Sequence, residues 1–170
     1  MIVVVAGVSG SGKSTIGALL AARLGWAFAD GDSFHPAANV AKMAAGMPLT
    51  DGDRWPWLGA IGAWMDDRAA AGESGVMACS ALKRAYREVL LDGRPGVRLV
   101  FLTVDHDLDV TRLTARHGHF FPAELADTQF GDLEVPGPAE SALVISADGT
   151  PDELVAAIIA RLHLTAAPGG

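Results

Sequence analysis

The chain has 170 residues, of which 50% are hydrophobic and 19% charged, and this composition excludes an intrinsically disordered protein. Its length predicts a single domain over residues 1–164, followed by a flexible C-terminal tail over 165–170. The formal net charge of −7 argues against nucleic-acid binding, because a phosphate backbone attracts basic surfaces.

The single cysteine, Cys79, cannot form an internal disulfide, and the N-terminus has no basic stretch before its apolar run. Both features favour a reducing compartment, so we expect the protein in the cytoplasm. No segment reaches the roughly 20 apolar residues that a membrane-spanning helix needs, so we expect no membrane partner. The sequence does not give the oligomeric state, for which a homodimer is one alternative.

The first half of the chain alternates strands with helices. Residues 1–6 are rich in Val and Ile without alternation, which is typical of a strand buried on both faces. A helix is predicted over 14–24 and a second strand over 26–29. The stretch 35–53 reads as irregular or weakly helical, and a long helix is predicted over 54–71, with a proline in its first turn.

The second half continues this alternation. The predicted strands are 76–79, 97–104 and 142–145, and the predicted helices are 82–91, 108–115 and 151–162. The segment 118–138, rich in Gly, Pro and aromatic residues, interrupts the pattern and suggests a cover over a bound nucleotide. Five strands alternating with helices predict an α/β fold, a parallel sheet covered on both faces with ligands at the carboxyl ends of its strands.

A phosphate-binding motif lies between the first strand and the first helix. Its sequence fits G-x-x-x-x-G-K-[ST], a loop whose backbone N–H groups surround phosphates while the next helix points its positive end at them. In P-loop enzymes the lysine, here Lys13, reaches the β- and γ-phosphates, and the hydroxyl residue, here Ser14, ligates Mg²⁺. The predicted nucleotide-binding residues are Gly7, Val8, Ser9, Gly10, Ser11, Gly12, Lys13, Ser14 and Thr15.

Two aspartates, Asp30 and Asp32, follow the second predicted strand. The strand over 76–79 lacks the terminal Asp of an ordinary Walker B motif, so these aspartates are the nearest candidates for a second metal partner. One carboxylate suits the water shell of Mg²⁺, and the other suits the proton of an attacking hydroxyl. A solvated acidic turn is the alternative interpretation. A GTPase is disfavoured because neither D-x-x-G nor N-K-x-D follows the loop.

Basic residues supply candidates for binding anions. Lys83, Arg84 and Arg87 begin a predicted helix just after a strand's carboxyl end, which in this fold faces the substrate cleft. A solvated basic helix face is the alternative. Arg112 and Arg116 precede the cover segment, where an arginine stabilises charge on a transferring phosphoryl group or only complements the helix dipole.

Further residue blocks extend this pattern from Val3 to about Pro136. They are Asp30-Gly31-Asp32, His35-Pro36, Asn39, Lys42-Met43, Gly46, Pro48-Leu49, Asp51, Asp53-Arg54, Pro56-Trp57-Leu58, Cys79-Ser80-Ala81-Leu82-Lys83, Tyr86-Arg87, Gly118-His119-Phe120-Phe121-Pro122, Gln129-Phe130, Leu133-Glu134 and Pro136. Together with the phosphate loop, these blocks resemble the small P-loop gluconokinases of the shikimate-kinase-like group.

The resemblance implies ATP-dependent phosphorylation of D-gluconate to 6-phosphogluconate, which feeds the pentose phosphate or Entner-Doudoroff route. It implies a five-stranded P-loop NTPase-type sheet of order 2-3-1-4-5 and a lid over about 116–138. It assigns Asp30 to Mg²⁺ through water and Arg112 to the nucleotide. The implied catalytic residues are Lys13, Asp32 and Arg116, with Asp32 orienting or deprotonating the 6-hydroxyl. The implied substrate-binding residues are Asp32, His35, Arg54, Lys83, Arg87 and His119.

Two other functions stay open at the level of sequence. Shikimate kinase or another small hydroxy-acid kinase would use the same loop and paired aspartates, although the blocks over 53–58 and 118–129 favour gluconate. A non-catalytic ATP-binding sensor would also keep the loop, but the joint presence of Lys13, Ser14, Asp32 and Arg116 speaks against it.

Overall fold

Parallel strands form the centre of the protein. The computed structural model describes residues 1–104 and 131–167. Within these residues the strands are β1 (Ile2–Ala6), β2 (Ala27–Asp30), β3 (Gly75–Cys79), β4 (Val97–Thr103) and β5 (Leu143–Ser146). They pair in parallel in the order β2-β3-β1-β4-β5. The predicted five-stranded sheet of order 2-3-1-4-5 is therefore confirmed.

Helices cover both faces of this sheet. The helices in the described residues are α1 (Lys13–Leu24), α2 (Ala37–Ala44), α3 (Asp51–Ala70), α4 (Arg84–Leu91) and α5 (Pro151–Leu162). Apolar residues of α3 and α4 pack against Ile2 and Val4 of β1, whereas those of α1 and α5 pack in a separate core with Val3 and Val5. Successive strand residues point to opposite faces, so the central strand β1 is buried along its whole length.

Two helices begin two or three residues away from their predicted starts. The long helix α3 starts at Asp51 rather than Arg54, because Thr50 and Asp53 form a capping box, in which each side chain accepts the other residue's backbone N–H. Pro56 consequently lies inside α3 and not in its first turn. The helix α4 starts at Arg84 rather than Leu82, because Lys83 has an extended backbone and forms the N-cap.

Smaller differences concern the remaining bounds. The segment over 35–53 contains the regular helix α2, and the strands predicted over 26–29 and 142–145 each lie one residue further along the chain. The helix predicted over 108–115 and most of the segment over 118–138 lie outside the described residues. No helix in the described parts of the chain is both long and apolar enough to cross a membrane.

The C-terminal tail is attached to the domain as far as it is described. The N–H of Ala167 donates to the carbonyl of Leu24 at 2.8 Å, at the end of α1. Residues 168–170 lie outside the described part, and the flexible tail over 165–170 stays a prediction.

A buried ion pair joins α4 to the segment that precedes β5. The Arg87 guanidinium is only 1% exposed, and its Nε and Nη2 donate to the two carboxylate oxygens of Glu140 at 2.6 and 2.8 Å. Its Nη1 donates to the carbonyls of Ala81 and Leu82, which come directly before the N-cap of α4. The hydrogen bonds from Arg87 are the main reason that the pKa of Glu140 is lowered. The hydrogen bonds of the Arg87 guanidinium therefore fix the backbone that carries Lys83.

Removal of this carboxylate tests the importance of the pair. We expect Glu140→Ala to lower the free energy of unfolding by about 3 to 5 kcal/mol, because the buried guanidinium loses its counter-ion. Denaturant titration measures this change. The matched control is Glu88→Ala, whose carboxylate pairs with Arg84 on the exposed surface of α4 and contributes less than about 1 kcal/mol. Equal losses in the two variants would contradict a structural role for the buried pair.

Candidate active site

The phosphate loop connects β1 to α1 at the carboxyl edge of the sheet. Gly7 has a φ of +148°, and a Cβ at this position would lie 2.7 Å from the carbonyl oxygen of Leu102, so the loop requires glycine there. Gly12 is the N-cap of α1 and supplies no side-chain oxygen. The first N–H groups of α1 therefore lack a side-chain cap and suit an anion. Lys13 Nζ donates to the carbonyl of Val8 at 3.2 Å, which holds the ammonium over the loop.

Ser14 and Asp30 bring two oxygen donors together beside this loop. Ser14 Oγ donates to Asp30 Oδ2 at 2.6 Å, and Asp30 Oδ1 accepts the backbone N–H of Asp32 at 3.0 Å. Hydroxyl and carboxylate oxygens are the ligands that Mg²⁺ prefers. In residues 1–104 and 131–167 we find no group of three or more His, Cys, Asp or Glu side chains that could hold a metal ion. A pair of oxygen donors fits a Mg²⁺ ion that takes its other ligands from water and nucleotide phosphates.

The strand between the loop and Asp30 ends in a neutral side chain. Cys79, at the end of β3, is fully buried, and this burial raises the pKa of its thiol to about 12. The thiol is therefore uncharged at neutral pH and supplies no competing anion.

Asp32 lies two residues beyond Asp30, in the 3₁₀ helix Gly31–Phe34. This turn lies directly against the end of β3, because a Cβ on Gly31 would come within 2.8 Å of the carbonyl oxygen of Ala78. Trp57 Nε1 of α3 donates to the Gly31 carbonyl at 2.7 Å and holds the turn from the other side. Asp32 itself is exposed to solvent. The backbone between the two carboxylates is thus fixed by both β3 and α3.

His35 follows this turn and stacks on Trp57, with ring centroids 4.4 Å apart and an interplanar angle of 11°. Burial is the main cause that lowers the pKa of His35, so the ring is neutral at pH 7. The charge of Asp32 raises this pKa and that of Arg54 lowers it. His35 therefore lies within electrostatic range of both Asp32 and Arg54.

A mixed-charge cluster lies where α3 and α4 begin, and its members are Asp51, Arg54, Lys83, Tyr86 and Asp132. Arg54 Nη1 donates to Tyr86 Oη at 2.8 Å and to Asp132 Oδ2 at 3.2 Å. Lys83 Nζ donates to Asp51 Oδ1 at 3.0 Å and lies 3.4 Å from Asp132 Oδ1. Both cationic groups lie over the Tyr86 ring, at 5.3 and 5.6 Å from its centroid. The cluster thus gathers two cations and two carboxylates around one aromatic ring.

Tyr86 stays protonated within this cluster. Burial and the hydrogen bond to Asp51 raise the pKa of its phenol, so the hydroxyl donates to Asp51 while it accepts from Arg54. The hydrogen bonds from Tyr86 and Lys83 lower the pKa of Asp51, and the bond to Asp51 is the main cause that raises the pKa of Lys83. Both ionic partners are therefore charged at neutral pH.

The structure brings most of the sequence-predicted residues to one edge of the sheet. Lys13, Ser14 and Asp30 lie together, and Arg54 and Lys83 share Asp132 and Tyr86. Arg87 differs from the expectation, because its buried guanidinium is engaged by Glu140 and backbone carbonyls. Three further predicted residues, Arg112, Arg116 and His119, lie outside the described residues.

Sequence reasoning missed the role of Tyr86, Asp51 and Asp132 in this cluster. A signal was available for Tyr86, because it is the only tyrosine of the chain and follows Lys83 by three residues, one helical turn. Asp132 is distant in sequence from its partners, and no local pattern indicated the contact.

The loop, the Ser14 and Asp30 pair and the parallel sheet together define a P-loop enzyme of the kinase type. A shikimate kinase family model matches residues 9–51. A gluconokinase of Gluconobacter oxydans is 45% identical over 92% of this chain and 88% of its own length. The thermoresistant gluconokinase of Escherichia coli is 42% identical over 93% of this chain and 91% of its own length.

A solved structure gives the same result. The crystal structure of a gluconokinase from Sinorhizobium meliloti is 43% identical, covers 94% of this chain and 91% of that one, and has a TM-score of 0.82. The chain therefore belongs to the gluconokinase family.

The start of α3 generates a prediction on pH dependence. The Asp53 carboxylate accepts Lys42 Nζ at 2.7 and 2.8 Å as well as the N–H and hydroxyl of Thr50, and these bonds, led by that from Lys42, lower its pKa from 3.8 to about 2. A carboxylate with a lowered pKa stabilises the fold above pH 4, and this contribution is lost as the pH falls through 2. We expect Asp53→Asn to have a lower melting temperature than the wild type at pH 7. This difference in melting temperature should narrow between pH 4 and pH 2.

Thermal melts at several pH values measure this difference. The control is Asp67→Asn, on the exposed surface of the same helix, for which no pH-dependent difference is expected. A difference in melting temperature between the wild type and Asp53→Asn that stays constant down to pH 2 would contradict the stabilising role of the Asp53 carboxylate.

Proposed function

We propose that the protein transfers the γ-phosphoryl group of ATP to the 6-hydroxyl of D-gluconate and releases ADP and 6-phosphogluconate. Membership of the gluconokinase family supports this activity. The observation that carries it is the presence of a phosphate loop, paired aspartates and the mixed-charge cluster at neighbouring strand ends and helix starts. His35 lies within electrostatic range of both Asp32 and Arg54, which supports a single site bordered by these groups.

The nucleotide end of the site uses the loop over residues 7–15. Its uncapped N–H groups and the positive end of α1 favour the phosphates, and Lys13 neutralises charge that develops during transfer. Arg112 and Arg116 stay predictions from the family resemblance, as nucleotide-binding and catalytic residues respectively.

Ser14 and Asp30 are the residues that would hold Mg²⁺, Ser14 directly and Asp30 through water. Their oxygen atoms are hard donors, which fits this ion. When bound, Mg²⁺ neutralises charge on the β- and γ-phosphates during transfer. The need for ATP and Mg²⁺ is the expectation for a P-loop kinase.

Asp32 is the residue that we assign to the substrate hydroxyl. Asp30 is occupied by Ser14 and by a backbone N–H, whereas no described residue forms a hydrogen bond or ion pair with the Asp32 carboxylate. A carboxylate without a partner among residues 1–104 and 131–167 is able to orient or accept the proton of the attacking hydroxyl.

The acid end of the substrate binds to Arg54 and Lys83 in this proposal, with His35 and His119 as weaker candidates. A protein of net charge −7 gains no long-range attraction for an anion, so the carboxylate must be captured by nearby cations. Arg54 is suited to a bidentate contact, while Lys83 supplies a point charge. Arg87 donates to the carbonyls of Ala81 and Leu82 and thereby fixes the backbone next to Lys83. This role needs no contact with the substrate.

A cytoplasmic location, a homodimer, and the lack of nucleic-acid and membrane partners stay predictions from the sequence. Shikimate phosphorylation is the second candidate activity, because the shikimate kinase family model covers the loop from Ser9 onward and both aspartates. That match ends at residue 51, before Arg54 and Lys83, so it does not include the acid-binding residues of the proposal.

The assignment of the two aspartates is tested by asparagine substitutions. We expect Asp32→Asn to lower kcat by at least about 100-fold, because the proton acceptor is lost, and to leave the KM for ATP within a few-fold. We expect Asp30→Asn instead to raise the Mg²⁺ concentration needed for half-maximal rate. Steady-state kinetics at several Mg²⁺ concentrations separate these effects. Loss of ATP affinity with normal turnover in Asp32→Asn would reverse the two roles.

The assignment of the acid site is tested by two substitutions of its cations. We expect Arg54→Lys and Lys83→Ala each to raise the KM for gluconate by about 10- to 150-fold, the effect of losing a charge-assisted contact of roughly 1.5 to 3 kcal/mol. The KM for ATP should stay within a few-fold. Arg84→Ala is the matched control, since Arg84 is exposed and its guanidinium forms an ion pair with Glu88 of the same helix. An unchanged gluconate KM in both variants would mean that the acid binds elsewhere.

A further inference from the structure

The mixed-charge cluster already contains as many carboxylates as cations. Arg54 and Lys83 are compensated by Asp51 and Asp132. A bound substrate carboxylate would add a third negative charge to this small volume, and like charges at short distance repel strongly. One of the two aspartates must therefore give up its contacts when the acid binds.

Asp51 is the more firmly held of the two. Its Oδ1 accepts Lys83 Nζ at 3.0 Å and also the hydroxyl of Tyr86. It lies in the first turn of α3, where the helix dipole favours a negative charge. These contacts lower the pKa of its carboxyl group.

Asp132 is held more weakly and in a different geometry. Its Oδ2 lies 3.2 Å from Arg54 Nη1 and its Oδ1 lies 3.4 Å from Lys83 Nζ. Both distances exceed the roughly 2.7 to 2.9 Å of strong charge-assisted hydrogen bonds. The two oxygens bridge the two cations, one oxygen to each, which is an arrangement that the carboxylate of a ligand would also adopt.

The backbone around Asp132 is anchored independently of these contacts. The N–H of Glu134 donates to the carbonyl of Leu82 at 3.1 Å, and the Glu134 carboxylate accepts the N–H of Arg84 at 2.6 Å. Leu133 packs against the core. The Asp132 side chain is therefore free to leave the cations while its neighbours keep their positions.

We propose that Asp132 is a resident carboxylate that occupies the position of the substrate's carboxylate, is displaced by it, and so sets a threshold of affinity that weakly binding anions do not reach. This inference rests on the proposed binding of the substrate acid to Arg54 and Lys83. A simple monocarboxylate gains too little to displace Asp132, whereas a sugar acid adds the contacts of its hydroxyl groups. Asp132 thereby raises the KM for the true substrate and excludes small anions from the site.

The test removes this charge with little change of shape. We expect Asp132→Asn to lower the KM for gluconate by about three- to tenfold, the range expected for the release of two partly exposed ion pairs, while the KM for ATP stays within twofold. Acetate, used as the small-anion probe, should become a better competitive inhibitor against gluconate by a similar factor. Asp132→Ala should act in the same direction and provides a second variant if the first does not fold.

The control for the change in net charge is Asp67→Asn, which removes an exposed carboxylate of α3 away from the cluster and should change neither KM nor acetate inhibition. An unchanged gluconate KM in folded Asp132→Asn would overturn the inference. A raised gluconate KM would also overturn it, because Asp132 would then contact the substrate.

Calorimetric titration of gluconate separates this inference from the proposal on which it rests. If the wild type, Arg54→Lys and Lys83→Ala bind gluconate equally well, the proposed acid site is wrong whatever Asp132 does. If Arg54→Lys binds more weakly than the wild type and Asp132→Asn binds with unchanged affinity, the acid site stands and the inference on Asp132 fails. Tighter binding by Asp132→Asn together with weaker binding by Arg54→Lys supports both.

Discussion

The hydrogen bond from Ser14 to Asp30 joins the phosphate loop to a strand that is not its neighbour in the sheet, and the arrangement of the site depends on this contact. The strand β3 lies between β1 and β2, so the contact must pass over its end. That end carries the buried, uncharged Cys79, and Gly31 lies directly against the carbonyl of Ala78. A carboxylate at the end of β3 would compete for the same metal, and a side chain on Gly31 would push Asp32 away from the loop. In the proposed site the carboxylate that would hold the metal is therefore Asp30 of β2, and Asp32 is left for the substrate hydroxyl.

Charge in this protein is balanced locally. The net charge is −7, yet ATP and a sugar acid are both anions. In the proposed site the phosphate loop binds ATP through backbone N–H groups, the helix dipole and a single lysine. In the proposed site the mixed-charge cluster binds the sugar acid through Arg54 and Lys83, which are each paired with an aspartate. Cations assembled in this way act over a few ångströms, which selects ligands by the position of their charge rather than by its amount.

The parts of the structure that depend on residues close together in the sequence were predictable. Buried β1, the glycine-rich loop and α1 follow from a short sequence pattern, and the alternation of strands and helices gave the α/β class. The start of α3 was predicted wrongly because the apolar pattern begins after the Thr50 and Asp53 capping box. Arg87 was grouped with the substrate residues because its charge is visible in the sequence, whereas its buried bond to Glu140 is not. The contacts of Asp132 join segments far apart in the chain, and only the folded structure brings them together.

The most direct measurement of the central claim compares the initial rates of ADP release from ATP and Mg²⁺ with gluconate, with shikimate and without an added acid. A transfer site built from Ser14, Asp30 and Asp32, with an acid site at Arg54 and Lys83, predicts rapid ADP release with gluconate and only background release in the other two reactions. Release of ADP that is as fast with shikimate, or as fast without an acceptor, would contradict this account.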